Sequence, residues 1–174
     1  GAFYQYAGTT LSGLGDVDGD GLDDFAIGTG KNIAYLIRGN AGGLTDGSLA
    51  TVQSASFAGN FGAGAGAVVH GAGDTNGDGL GDWLITAPDD DEAGRDAGAA
   101  YLLYGSADYG DDPGQMWLES LESFGRLDDG TTFPTFSASN LGVMQGAKLL
   151  GRSASDDFGT WIGSGDVNGD GLAD

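Results

Sequence analysis

Asp16-Val-Asp18-Gly-Asp20-Gly21-Leu22-Asp-Asp24 returns as Asp74-Thr-Asn76-Gly-Asp78-Gly79-Leu80-Gly-Asp82 and again as Asp166-Val-Asn168-Gly-Asp170-Gly171-Leu172-Ala-Asp174. Oxygen-bearing side chains stand at positions 1, 3, 5 and 9 of each copy, glycine at position 6 and leucine at position 7. Hard cations such as Ca²⁺ take six to eight oxygen ligands, and this spacing lets one short loop wrap such an ion. Side chains at alternate positions converge only if the backbone curls, and the glycines supply the conformations that the curl needs. Without a cation, carboxylates about 4 Å apart repel by roughly 4 kcal/mol per pair at an effective dielectric near 20. Metal binding is therefore expected to couple to folding.

Each loop sits in a longer repeated context, as repeat architectures require. Before the loops come Gly-containing apolar stretches at 7–13, 65–71 and 158–163. After the first two loops come Phe25–Gly28 and Trp83–Pro88, then Asn32–Gly39 and Gly98–Gly105, then Val52–Ala58 and its counterpart Ala147–Leu150. These short runs, bounded by Gly, Asp and Asn, read as strands. About four strands per repeat is the content of one propeller blade. The loops start at residues 16, 74 and 166, so the intervals are 58 and 92 residues, and the longer one holds an insertion at about 106–146. Within it, residues 116–124 read as a short amphipathic helix or a strand. The insertion serves either as a binding face or as a loop without a role. The organisation expected is repeat 1 over 1–60, repeat 2 over 61–157 and a truncated repeat 3 over 158–174, a piece of a longer protein.

Two other calcium motifs fail. An EF-hand or dockerin loop needs an acidic residue at position 12 and a helix after it. Position 12 is Ile27 in the first copy and Ile85 in the second, each inside a β-like run. The calcium β-roll nonapeptide is not repeated.

The chain resembles the FG-GAP repeat proteins, the propeller class of the integrin α-subunit head and of many bacterial surface proteins. Phe158-Gly159 before the third loop, Ala87-Pro88 after the second and Gly98…Tyr101 carry the likeness beside the loops themselves. Ala7-Gly8 and Ala65-Gly66 stand where Phe-Gly is usual. The resemblance implies an all-β fold: about two blades and the start of a third, part of a seven-bladed β-propeller. It also implies calcium ligation by the side chains of Asp16, Asp18, Asp20 and Asp24, of Asp74, Asn76, Asp78 and Asp82, and of Asp166, Asn168, Asp170 and Asp174. The backbone carbonyls of Leu22, Leu80 and Leu172 complete the implied sets, giving two complete sites and a third that ends with the chain.

Composition narrows the function. Net charge is −20, from 26 acidic and 6 basic residues, so nucleic acid is an unsuitable partner, since phosphate binding needs clustered Lys and Arg. Three Ca²⁺ ions would bring that charge only to −14. There is no cysteine, which removes disulfides, zinc thiolates and thiol catalysis. No apolar run is long enough to span a membrane. Loops of this type call for the calcium levels found outside the cytosol. His70 is the single histidine, and Ser-His-Asp chemistry would have to pass through it. A structural or exposed histidine is the expectation. Trp83 and Trp161 are assigned to core packing, and Trp117 to a partner contact.

The reading is a non-enzymatic, calcium-binding adhesion or ligand-binding module of a secreted or surface protein, with a protein or carbohydrate partner. The alternative is an accessory propeller of a large secreted hydrolase, such as a phospholipase or polysaccharide-degrading enzyme, whose catalytic domain lies outside the chain. A third option, a small catalytic site completed by His70 and the insertion, ranks below both.

Overall fold

A computed structural model describes residues 6–44, 46–47, 49, 55–60, 62–109, 115–118 and 146–174. The protein is all-β, with two sheets each built on four antiparallel strands, the first extended by a fifth, parallel strand. The first runs β1 (Thr10–Gly15), β2 (Asp24–Gly28), β3 (Ile33–Ile37) and β4 (Ala55–Ala58), each pairing with the next. The second runs β5 (Val69–Gly73), β6 (Asp82–Ala87), β7 (Ala99–Leu103) and β9 (Gly146–Leu150). Between β7 and β9, the chain sends β8 (Gln115–Trp117) back to the first sheet. There β8 lies parallel to β4, with Phe57 opposite Met116. Of the insertion, this strand and its immediate neighbours are described; most of 116–124 lies outside the described residues, as does the start of the Val52–Ala58 run.

Alternation builds the core. Ala34 and Leu36 on β3, Ala55 and Phe57 on β4, Trp83, Ile85 and Ala87 on β6, and Ala99, Tyr101 and Leu103 on β7 are all buried in one cluster. Successive residues of a strand face opposite sides, so every second side chain of each run turns toward the neighbouring sheet. Trp83 meets Phe57 edge to face at 4.7 Å, and Tyr109 meets the same ring at 6.3 Å. Such aromatic pairs add specific geometry to the burial of a large apolar surface.

The two sheets repeat in detail. The register of β1 on β2 shifts between Gly13 and Gly15, and that of β5 on β6 between Gly71 and Gly73. A bulge thus re-aims the chain at the same place before each of the first two loops. The first strands of the two sheets, β1 and β5, lie side by side: the Gly71 N–H donates to Ser12 Oγ at 3.0 Å.

The third repeat departs from expectation. Residues 158–163 form bends and turns rather than a strand, and Trp161 is 90% exposed rather than in the core. Val17, at position 2 of the first loop, is fully buried, whereas Val167 at the same position of the third is 86% exposed.

Candidate metal centre

Each loop is a turn stapled by its own side chains. In the first, Asp16 accepts from the N–H of Gly19 at 2.7 Å and of Gly21 at 2.9 Å, one to each carboxylate oxygen. Asp18 accepts from Asp20 N–H at 3.1 Å, and Asp20 from Leu22 N–H at 2.8 Å. The second loop repeats this with Asp74 on Gly77 and Gly79, Asn76 on Asp78, and Asp78 on Leu80. The third repeats it with Asp166 on Gly169 and Gly171, Asn168 on Asp170, and Asp170 on Leu172. The glycines at position 4 have φ of 79°, 79° and 78°, and those at position 6 have 88°, 88° and 93°. That left-handed region strains residues with a Cβ, so glycine is required at both positions.

Position 9 ties each of the first two loops to the rest of its sheet. Asp24 accepts from Val17 N–H at 2.8 Å and, through its other oxygen, from Gly39 N–H at 2.7 Å. Asp82 accepts from Thr75 N–H at 2.7 Å, from the Thr75 hydroxyl, and from Gly105 N–H at 2.9 Å. Gly39 and Gly105 follow β3 and β7, so one carboxylate joins the loop, the second strand and the exit of the third. Asp174 binds Val167 N–H at 2.9 Å, but no equivalent of Gly39 reaches it among the described residues. Burial pushes the Asp24 and Asp82 carboxyls above the usual carboxylate range, against the opposing pull of these hydrogen bonds.

The loops also stack on one another. Gly81 N–H, at position 8 of the second loop, donates to the Asp16 carbonyl at 2.8 Å; Ala173 N–H, at position 8 of the third, donates to the Asp74 carbonyl at 3.1 Å. Leucine at position 7 fills the space beside position 4 of the loop before it: a Cβ on Gly19 would lie 3.4 Å from Leu80, and one on Gly77 3.5 Å from Leu172. The same interlock therefore links repeat 1 to repeat 2 and repeat 2 to repeat 3.

Among the described residues, Asp16, Asp18 and Asp24 are the acidic group that can hold a metal ion, each offering one oxygen, with all three within 4.8 Å of one another. Asp18 and Asp24 are buried and Asp16 is half-buried. The donor set is oxygen throughout, which suits a hard cation. Three buried or half-buried carboxylates at such range also call for positive charge. Asp20 stands outside this trio, with an oxygen 3.8 Å from Arg38 Nη2, and the Arg38 Nε contacts Asp18. The second and third loops place Asp74, Asn76, Asp78, Asp82 and Asp166, Asn168, Asp170, Asp174 in the same hydrogen-bond pattern, with an amide in place of the second carboxylate.

Arg38, Gly39, Tyr104 and Gly105 were not singled out in the sequence reading. Their signal is an alignment of Tyr35-Leu-Ile37-Arg38-Gly39 with Tyr101-Leu-Leu103-Tyr104-Gly105, which marks the glycine as shared but cannot show that its N–H meets an aspartate 15 or 23 residues earlier. His70 Nε2 lies 3.2 Å from Ser164 Oγ, which itself donates to the Gly71 carbonyl. That hydroxyl is turned to the backbone and the pair is at the surface. Trp117 contributes backbone pairing to β8; its side chain is outside the described residues.

At the far end of β6 from the loops, the 88–97 turn lines an open cavity of about 640 Å³ with Asp89, Asp90, Asp91, Glu92 and Asp96. Lys148 already answers part of that charge. It pairs with Glu92, lies 3.9 Å from Asp90 and sits over the Tyr101 ring at 5.1 Å.

No protein-family model matches the chain, and no curated protein sequence matches it.

Proposed function

We propose that the chain is a calcium-binding, non-enzymatic segment of a β-propeller in an extracellular protein, serving as a scaffold for ligand binding or adhesion. The observation that carries the reading is the convergence of Asp16, Asp18 and Asp24 within 4.8 Å, in a loop whose hydrogen-bond pattern recurs twice more. Asp16, Asp18, Asp24 and the outlying Asp20 would hold the ion in the first loop; Asp74, Asn76, Asp78 and Asp82 in the second; Asp166, Asn168, Asp170 and Asp174 in the third. The bound cation would supply charge neutralisation, with the loop backbone already curled by the position-1 aspartate. The position-9 aspartate would pass that bracing to the strands, because it also holds Gly39 or Gly105. The ions then stabilise the blades and need not touch a partner.

The propeller reading is supported by two similar antiparallel sheets and by loops that interlock in sequence order. Radial repetition of four-stranded sheets is how propellers shield strand edges. Among the described residues no helix is long and apolar enough to cross a membrane.

The test is a calorimetric calcium titration of the chain, with circular dichroism before and after EDTA. Saturable binding at two or three sites, with a gain in thermal stability, is expected. A folded chain that takes up no calcium at millimolar concentration would remove the metal reading.

A further inference from the structure

Asp16, a member of the acidic trio, is held from two directions. Its carboxylate accepts from Gly19 and Gly21 inside the first loop. Its backbone carbonyl accepts from the Gly81 N–H, at position 8 of the second loop, at 2.8 Å. The Val17 carbonyl, next in the chain, accepts from the Ser106 N–H of the second repeat at 2.8 Å. Two consecutive carbonyls therefore fasten the start of the first loop to the second repeat. Gly81 is in turn set by its own loop. Asp78 accepts from the Leu80 N–H at 2.8 Å on one side of it, and Asp82 accepts from the Gly105 N–H at 2.9 Å on the other. The seat is tight. A Cβ on Gly81 would run into the Leu14 carbonyl oxygen, and one on Gly105 would lie 2.5 Å from Leu80 Cβ and 3.0 Å from the Val17 carbonyl oxygen. The contact recurs one repeat on, where the Ala173 N–H donates to the Asp74 carbonyl at 3.1 Å.

We propose that the second loop positions the Asp16 carboxylate for the cation of the first, through the Gly81 N–H, so that adjacent loops are energetically coupled. This deepens the calcium reading above, on which it rests. The Asp16 side chain leaves the residue whose carbonyl Gly81 holds, so a turn of that backbone swings the carboxylate away from Asp18 and Asp24. Groups that orient a metal ligand from outside the ligand set govern affinity for the metal. Coupling free energy is reciprocal: an ion that orders either loop lowers the ordering cost at the other. Direct repulsion between two bound cations has the opposite sign, which makes the two effects separable. A charge-neutral change that costs the second loop its ion removes repulsion and tightens the first site. A loosened Asp16 weakens it.

The test is a calcium titration of the full chain, followed by NMR at the glycine amides of each loop: Gly19 and Gly21, Gly77 and Gly79, Gly169 and Gly171. The parent is compared with a chain carrying glycolic acid in place of Gly81, which turns the N–H into an ester oxygen without altering charge or side chain. The ester chain is expected to raise the first-loop dissociation constant about tenfold, the scale on which a metal ligand loses an outer partner, and to leave the third loop at the parent's affinity. First-loop affinity equal to the parent's, or tighter, would overturn the proposal. So would an equal loss at the third loop, which marks general destabilisation. If the ester chain does not fold, Leu80→Ala decides by the same criteria, since it removes the side chain that seats this peptide against Gly19 and Gly105. If the parent takes up no calcium, the calcium reading fails, and amide exchange in EDTA judges the positioning. Gly19 and Gly21 should then exchange about fivefold faster in the ester chain, the scale of one hydrogen bond, and equal rates would overturn it.

Discussion

Asp82→Ala separates the two jobs assigned to the position-9 carboxylate. Asp82 is fully buried and accepts from two backbone N–H groups, Thr75 at 2.7 Å and Gly105 at 2.9 Å, besides the Thr75 hydroxyl. Each buried N–H left without an acceptor costs about 1–3 kcal/mol. Truncation also returns the desolvation cost that raises the carboxyl's pKa, so a net loss of about 3 kcal/mol is expected in EDTA. For a chain of this size that is about 6–12 °C in melting temperature. Calcium adds a second loss. A site filled at a hundred times its dissociation constant stabilises by about 2.7 kcal/mol, and the variant should forgo that gain at the second loop. Asp82→Asn keeps one acceptor oxygen, so it should lose less in EDTA and nearly as much of the calcium gain. Calorimetric melting of the parent and both variants, with EDTA and with calcium, reads all four quantities. An Asp82→Ala melting temperature in EDTA within about 1 °C of the parent would refute the clamp.

Gly105→Ala would set a Cβ 2.5 Å from Leu80 Cβ and 2.8 Å from the Gly81 carbonyl. A loss of about 1–3 kcal/mol by chemical denaturation is expected, with weaker calcium uptake at the second loop. In EDTA, acidification should stabilise the parent. Burial raises the Asp24 and Asp82 carboxyls, so their contribution is complete below the unfolded carboxylate pKa near about 4 and is lost as pH rises through the higher folded value. Melting curves between about pH 4 and 7 should show that slope, reduced in Asp24→Asn with Asp82→Asn and reversed by calcium, which favours the ionised form. Trp83→Ala should cost about 3–5 kcal/mol, since Trp83 is fully buried against Phe57. Trp161→Ser should cost under about 0.5 kcal/mol, and its loss should remove the red-shifted, quencher-accessible part of the tryptophan fluorescence.

What could be read along the chain was whatever depends on neighbours in sequence. Alternating apolar runs bounded by Gly and Asp located eight of the nine strands among the described residues, within a few residues of their bounds. The repeated Asp and Gly positions located three loops, because φ at Gly19 or Gly77 and the Asp16–Gly21 bond are set inside nine residues. What depended on distant partners was not readable. That β8 returns to pair with β4 rather than staying with its own repeat is decided by an open sheet edge, which sets Phe57 opposite Met116, 59 residues apart in sequence.

 The two strands meet only because the folded first sheet leaves the β4 edge open, and nothing in residues 115–117 announces that edge. Trp161 misleads for the same reason. Its aromatic character suits a core, but burial is set by the surfaces that the fold brings beside it, and Trp161 is 90% exposed.

The nine-residue pattern and the apolar runs around it determined the all-β reading and the curl of each loop. Short-range sterics and bonds between near neighbours set both. Only the tertiary structure decided which loop oxygens come together, that Asp24 and Asp82 also hold Gly39 and Gly105, and that Arg38 sits on Asp18. Those contacts join segments brought together by strand pairing. Their strength comes from burial, which removes the competing water and makes each charge answer to the partners that the fold places beside it.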